Sequence, residues 1–347
     1  MIKIDGSHGE GGGQILRSTL TLSAVLGRPV EIFNIRVGRK KPGLQPQHLT
    51  GVRAVAKICN GKLEGDELLS QRIIFTPGKI RSGDYEFDVM KIKSSAGSTG
   101  MIFQQIAPVL AFGKGPSNVI LKGGTHTEMA PPIDYLQEVF LPTVAKMGFQ
   151  ANLDVERWGW FPIGQGIVKA TMDPVKDKLK TIELNKRGKL KRIFGVSLVS
   201  RLPLLIAERE RDHALSILRG NREVHSQVSE PQIEIKEVPS LGTGNAFFLA
   251  AEFENSIAGF SSLGKIGKRA EKVAEEAVSE FIKFYKSDAC IEKHLADQLI
   301  LYMALAEGGS SFTVPEISSH ILTNIWVMEQ FLPVKFKIEG NRVEVKG

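Results

Sequence analysis

The 347-residue sequence predicts an α+β fold: three βαβαββ repeats, with a small α/β domain inserted between the second and the third. Three observations carry that prediction. A glycine-opened helix, closed by glycine and followed by proline, occurs twice in the same order: from GSHGEGGGQ to Gly27 and Pro29, and from SAGSTG to Gly113 and Pro116. A third, late copy starts at Lys286, and the stretch before it breaks the pattern with strands and helices of its own. The repeat-bearing body is therefore residues 1–184 and 286–347, with repeats at about 1–80, 81–175 and 286–347, and the insertion spans 185–285.

Local patterns supply the elements. In the first repeat a strand at 2–4 precedes the glycine-rich turn, a helix covers 14–26, and a strand at 30–36 leads through the basic loop GRKKPG to a helix at 48–59. Strands at 62–64 and 72–76 close the unit. The second repeat offers a strand at 85–92, a helix reaching Phe112, a strand at 118–122, a helix at 133–146 ended by Gly148, and strands at 149–156 and 166–171. The insertion reads as strand 190–199, helix 203–218, strands 232–238 and 246–254, and a long helix at 267–285. The last copy gives helix 294–306, strand 311–314, helix 321–331 and strands 334–338 and 342–345. In its second helix Ile325, Val327, Met328, Phe331 and Leu332 recur at three- and four-residue steps, and Pro333 stops the run. His320 opens that helix as His48 opens the second helix of the first repeat, so helix starts from different units can converge on one site. Periodicity alone does not separate a helix-cap histidine from a catalytic one.

Composition narrows the function classes. A formal charge of +7 and a 42% hydrophobic, 24% charged make-up fit a globular protein with an anionic partner. Cys59 and Cys290 form no C-x-x-C pair, so neither a disulfide framework nor a cysteine zinc site is indicated, and a reducing, cytoplasmic location is the expectation. No uncharged span is long enough to cross a bilayer, so no membrane partner is expected.

Several motifs carry chemistry or imitate it. GSHGEGGGQ looks like a dinucleotide fingerprint, but Gln14 stands where the last glycine belongs and the following strand ends in Arg36 instead of an acid. What remains is a flexible turn feeding a helix N-terminus suited to phosphate, with Glu10 as a candidate metal ligand. Arg36, Arg39, Lys40 and Lys41 gather charge ahead of the second helix. His126-Thr-Glu128 imitates the H-x-E of zinc deaminases without the P-C-x-x-C that should follow. Trp158 and Trp160 suit the stacking of bases, and are read before that as packing a hairpin corner. HLADQ, His294 to Gln298, sets a ring, a carboxylate and an amide on one helical turn, a set able to stack on a purine and hydrogen-bond its ribose. The basic run from Lys176 to Arg192 is read as a solvated face.

Read jointly, DGSHGEGGGQILRS, GRKKPGLQPQHL, SSAGSTG with Gln104, the APP at Ala130 to Pro132, HLADQL, and SSHILTN followed by FLPV resemble the RNA 3'-terminal phosphate cyclase family over nearly the whole chain. The resemblance implies repeats of the enolpyruvyl-transferase-like kind and a thioredoxin-like insertion. It implies an ATP-dependent conversion of an RNA 3'-terminal phosphate to a 2',3'-cyclic phosphodiester. A covalent histidine-AMP and an RNA-adenylate anhydride are passed on the way, and AMP and pyrophosphate are released. His320 matches the nucleophile. Gln104, Pro131, His294, Leu295, Ala296, Asp297 and Gln298 match the nucleotide pocket; Arg17, Arg39, Gln47 and His48 match the phosphate and RNA-end contacts; Glu10 matches the metal-binding acid. The implied cofactors are ATP and a divalent cation, Mg or Mn. The implied partner is an RNA with a 3'-phosphate end, and a homodimer is within what the resemblance allows. His294 departs from the tyrosine that relatives often carry, and it adds a second candidate nucleophile, though the SSHILTN setting favours His320.

Two other functions compete. A cyclase-like ribosome-assembly protein would keep the fold without the nucleophile, and His320 in its motif speaks against it. An enolpyruvyl transferase would share the repeat, and the insertion and HLADQ speak against that.

Overall fold

The computed structural model describes residues 1–92 and 96–346. Ser94 and Ser95, the opening serines of SSAGSTG, lie outside the described residues.

The first unit comprises β1 (Ile2–Asp5), α1 (Gly13–Leu26), β2 (Val30–Phe33), α2 (Pro46–Cys59), β3 (Lys62–Glu64) and β4 (Ile73–Thr76). Its sheet runs β1-β2-β4-β3, with β1 and β2 parallel and the other pairs antiparallel. The α1 helix ends because Gly27 takes φ 65°, a left-handed cap that glycine adopts without a Cβ penalty. The β2 strand stops three residues short of the expected Arg36. Asn34 and Arg36 both take positive φ there, turning the chain into the basic loop.

The second unit repeats the plan with β5 (Asp84–Asp88), α3 (Thr99–Ala111), β6 (Ser117–Gly123), α4 (Ile133–Tyr135), a π-helical turn at Leu136–Phe140, α5 (Leu141–Ala145), β7 (Ala151–Arg157) and β8 (Gly166–Met172). Its sheet order is β5-β6-β8-β7. Then comes β9 (Glu183–Leu184), and the insertion follows: β10 (Leu190–Ser200), α6 (Leu205–Gly220), α7 (Arg222–Gln227), β11 (Gln232–Glu237), β12 (Gly244–Phe253), β13 (Ile257–Leu263) and α8 (Ala270–Tyr285). The third unit continues with α9 (Lys293–Leu305), β14 (Ser310–Thr313), α10 (Ser319–Phe331), β15 (Lys335–Glu339) and β16 (Arg342–Lys346).

The third sheet is ordered β15-β16-β14-β9, so its first strand lies ahead of the insertion. The expected start of the third repeat at residue 286 is thus late by one strand, and Glu183–Leu184 is too short to announce itself by pattern. With β9 counted, all three sheets share one order of first, second, fourth and third strand. The repeat is topological as well as sequential.

The inserted sheet, β11-β10-β12-β13, has one parallel pair and two antiparallel pairs, the thioredoxin-like arrangement. Its α7 and β13 carry no pattern that sets them apart in the sequence. Residues along β12 alternate between two cores: Phe247, Leu249 and Ala251 pack under α6 and α8, while Ala246, Phe248 and Ala250 join the main core. The insertion therefore shares a buried face with the second unit.

One carboxyl lies inside the insertion. Glu210 on α6 is fully buried; Ser197 Oγ donates to it at 2.6 Å and Asn245 Nδ2 donates a second bond. Burial pushes its pKa up from 4.5 to about 7. The folded state therefore binds this proton more tightly than the unfolded chain, so the stabilisation is complete below 4.5 and is lost as pH rises through about 7. Glu210→Gln is expected to unfold at a higher temperature than the parent at pH 8, with the difference shrinking towards pH 5, as scanning calorimetry at the two pH values will measure.

Candidate active site

Helix α1 packs against α2, α3 and α10, and α10 packs against α9. Residues near the helix starts of the first and third units meet there, with Gln104 of the second unit beside them. His320 is the second residue of α10, whose start is capped by Ser318 Oγ accepting from Ile321 N at 3.2 Å. The half-buried imidazole is tied through Nδ1 to Gln14 Oε1, at the start of α1. A carbonyl oxygen only accepts, so Nδ1 carries the proton and the lone pair is left on Nε2. Burial, then Arg17, His294 and Arg39, hold the ring's pKa below 6.5, so it is neutral at pH 7.

Beside it lies the open start of α1. The N-cap of α1 is Gly12, which offers no side chain to the helix's leading amides, and the helix carries no acid in its first turn. A Cβ on Gly13 would sit 2.6 Å from His48 Nε2 and 3.2 Å from Arg17 Nη1, so a glycine here lets both donors close on the helix start. His48 Nδ1 accepts from Gln45 N at 3.2 Å, which leaves the proton on Nε2. Burial, Arg36 and Arg17 push its pKa down to about 3, so it is a neutral donor. Arg17 is half-buried, its pKa lowered to about 10 by burial and partly restored by Asp297. Gln47 is committed elsewhere on one side: its Oε1 accepts from Ser98 N at 2.7 Å and ties α2 to the start of α3.

The glycine-rich turn is docked on α10. Glu10 N donates to Thr323 Oγ1 at 3.0 Å, and His8 stacks on Trp326 with ring centroids 4.0 Å apart. The Glu10 carboxylate is paired with the Arg39 guanidinium, which also donates to the Glu10 carbonyl at 2.9 Å. Among the described residues no three His, Cys, Asp or Glu gather as a metal site. One carboxylate fits a cation that takes its remaining ligands from phosphate oxygens and water, and Arg39 would have to release Glu10 for it.

The HLADQ turn opens α9. Its N-cap is Glu292, which accepts from His294 N at 2.6 Å and Leu295 N at 2.7 Å. His294 is exposed. Leu295 and Ala296 are fully buried, with both amides bonded to Glu292, so their part is to hold the turn. Asp297 and Gln298 line a cavity of about 60 Å3 together with Gln14, Arg17 and Gln104. Burial and the neighbouring Glu292 raise Asp297 to about 8, against the pull of Arg17. Asn324 braces it: Nδ2 donates to the Asp297 carbonyl at 2.8 Å and Oδ1 accepts from Ser18 Oγ at 2.7 Å. Pro131 is half-buried on a loop that lies against the first turn of α3; its carbonyl would be 3.1 Å from a Cβ on Gly100, one turn before Gln104.

Several partners carry only weak signals in the sequence. Gln14 stands out as a misfit to the dinucleotide fingerprint and as a polar residue opening a helix after a glycine-rich turn. Thr323 and Asn324 sit three and four residues after His320, the spacing that puts side chains on one helical face. Glu292 and Tyr135 gave no signal, since their meeting depends on tertiary packing. His126 is spent on Thr125 Oγ1 at 2.9 Å and Asp134 at 2.6 Å and packs on Trp160, so H-T-E serves structure.

Comparison with known proteins adds identity to this geometry. The family model described as RNA 3'-terminal phosphate cyclase matches residues 8–338. An RNA 3'-terminal phosphate cyclase of Methylococcus capsulatus is 41% identical over 334 residues, covering 95% of this chain and 91% of its own. Those of Nostoc punctiforme and Gloeothece citriformis are each 42% identical, over 95% and 100% of this chain and 94% and 98% of theirs. The enolpyruvyl transferase NikO from Streptomyces tendae aligns over 99% of this chain and 81% of its own at 10% identity, with a TM-score of 0.29, a likeness too slight to bear on the fold. By the family model and by relatives spanning nearly its full length, this chain belongs to the RNA 3'-terminal phosphate cyclase family.

Proposed function

We propose that this chain, an enzyme of that family, converts an RNA 3'-terminal phosphate to a 2',3'-cyclic phosphodiester at the expense of ATP, with His320 as the adenylyl carrier. The observation that carries this reading is the bond from His320 Nδ1 to Gln14 Oε1, which presents an unprotonated Nε2 from a ring that burial keeps neutral. In the first step Nε2 attacks the α-phosphorus of ATP, and the bond to the pyrophosphate oxygen breaks. An oxygen of the RNA 3'-phosphate, seated among the α1 N-terminus, Arg17 and His48, then attacks the same phosphorus and the P–N bond breaks. Finally the adjacent 2'-hydroxyl attacks the RNA phosphorus, AMP leaves, and the ring closes; tethering within one ribose supplies much of that rate. His294, Asp297, Gln298, Gln104 and Pro131 surround the adenosine. Glu10 would hold a divalent cation, Mg or Mn, whose chemistry is to neutralise polyphosphate charge. Two buried free cysteines suit a reducing, cytoplasmic setting, and no described helix is long and apolar enough to cross a membrane.

The test is incubation with α-labelled ATP and a divalent metal, followed by a 3'-phosphorylated RNA. Acid-labile, alkali-stable label on the protein, released as AMP when the RNA is added while the RNA's own 3'-phosphate becomes a phosphatase-resistant cyclic end, is the expected result. RNA binding without any label would favour a ribosome-assembly role instead.

Gln14 gives this reading a pH signature. Gln14→Glu places a carboxylate against Nδ1 and favours the imidazolium, so the neutral nucleophile forms only at higher pH. The acid limb of the adenylylation rate profile is expected to move up by about 1 to 2 pH units.

A further inference from the structure

We propose that Tyr135 is a positioning residue for the nucleotide pocket, and that the inserted domain serves the reaction by holding Tyr135 in place; this rests on the assignment of HLADQ to ATP. Tyr135 belongs to the second unit, yet its hydroxyl donates across to Glu292 of the third. Both side chains are 3% exposed. Glu292 in turn caps α9 through the amides of His294 and Leu295, so the same carboxylate receives three donors and fixes the turn that carries His294, Asp297 and Gln298. The turn is thus set by two buried side chains.

The other side of Tyr135 faces the insertion. A Cβ on Gly259 of β13 would lie 2.8 Å from Tyr135 Cδ2 and 2.7 Å from Val139 Cγ2, so the inserted sheet lies close against this helix. Val139 lies in the π-helical turn that follows Tyr135, where the backbone departs from regular α-helix pairing and depends on its neighbours for its shape. Phe248 and Ala250 of β12 join the same core. A continuous packed route thus runs from the inserted sheet, through Tyr135 and Glu292, to the first turn of α9. An insertion that only decorated the fold would need no glycine at this contact.

The experiment follows His320 labelling by α-labelled ATP across nucleotide concentrations in Tyr135→Phe, which keeps the ring and removes the hydroxyl. The concentration of ATP at half-maximal rate is expected to rise about tenfold, the weight of one bond to a charged acceptor. The rate at saturating ATP and the KM for 3'-phosphorylated RNA should stay within about twofold of the parent. Gly259→Val keeps the hydroxyl and presses on Tyr135 from the insertion; it is expected to shift ATP dependence in the same direction. Unchanged ATP dependence in Tyr135→Phe overturns the positioning role, as does a parallel loss in RNA affinity and saturated rate. A normal ATP dependence in a folded Gly259→Val overturns the part given to the insertion, and if that variant does not fold, Gly259→Ala, whose Cβ meets the same atoms of Tyr135 and Val139, decides in its place. Failure of the parent protein to label at all would instead remove the functional reading on which this rests.

Discussion

His320→Ala is expected to accept no adenylate and to lose cyclisation by about a thousandfold or more, the scale on which removal of a covalent nucleophile acts. The comparison that gives this result its meaning is His294→Ala. Both rings stand at helix starts of the third unit and they are close enough for His294 to depress the His320 pKa. Only His320 has its Nδ1 proton fixed by a carbonyl acceptor and its ring half-buried against α1, whereas His294 is exposed. His294→Ala should therefore keep the label and show its loss in nucleotide affinity. Label retained in His320→Ala and absent in His294→Ala would reverse the assignment.

Arg17→Ala is expected to slow cyclisation by about two orders of magnitude, a loss of about 3 kcal/mol, within reach of one buried charge-assisted phosphate contact. Arg17 lies at the centre of the site's electrostatics: it borders the start of α1 at Gly13, lines the cavity, depresses both His48 and His320, and offsets the rise in Asp297. Its removal should raise the His320 pKa, because a repelling cation has gone, and move the acid limb of the rate profile upwards. Arg17→Lys restores the charge without the fork, so it should recover the pH profile better than the rate. Single-turnover rates between pH 5 and 9 for the three proteins separate the two contributions.

Much of this was legible in the residues. The helix starts at Gln14 and His320, the stops at Gly27 and Pro333 and the repeat itself follow from glycine, proline and apolar spacing, all of them local signals. After residue 184 the pattern departs from that of the repeats on either side. Non-local pairing was not legible. Glu183–Leu184 became a strand only because β14 lies beside it, and the bonds from Gln14 to His320 and from Tyr135 to Glu292 span 306 and 157 positions. The pairing of Glu10 with Arg39 belongs to the same class: each was identified by its chemistry, and their engagement with each other depends on how the turn and the basic loop fold back.

The split third unit has a consequence for how the molecule is made. Ile182 N donates to Ser310 Oγ across 128 positions of chain, so on a ribosome β9 emerges long before its partner exists. The first two units and the insertion can assemble while the third sheet waits. Closing that sheet requires the two ends of the insertion to come together, and a folded insertion holds them there in advance, which shortens the loop to be closed. α10 follows α1, α2, α3 and α9 along the chain, so it brings His320 to an α1 that is already in place. A chain stopped before α10 therefore holds the start of α1, with Arg17 and His48 beside it, and lacks His320.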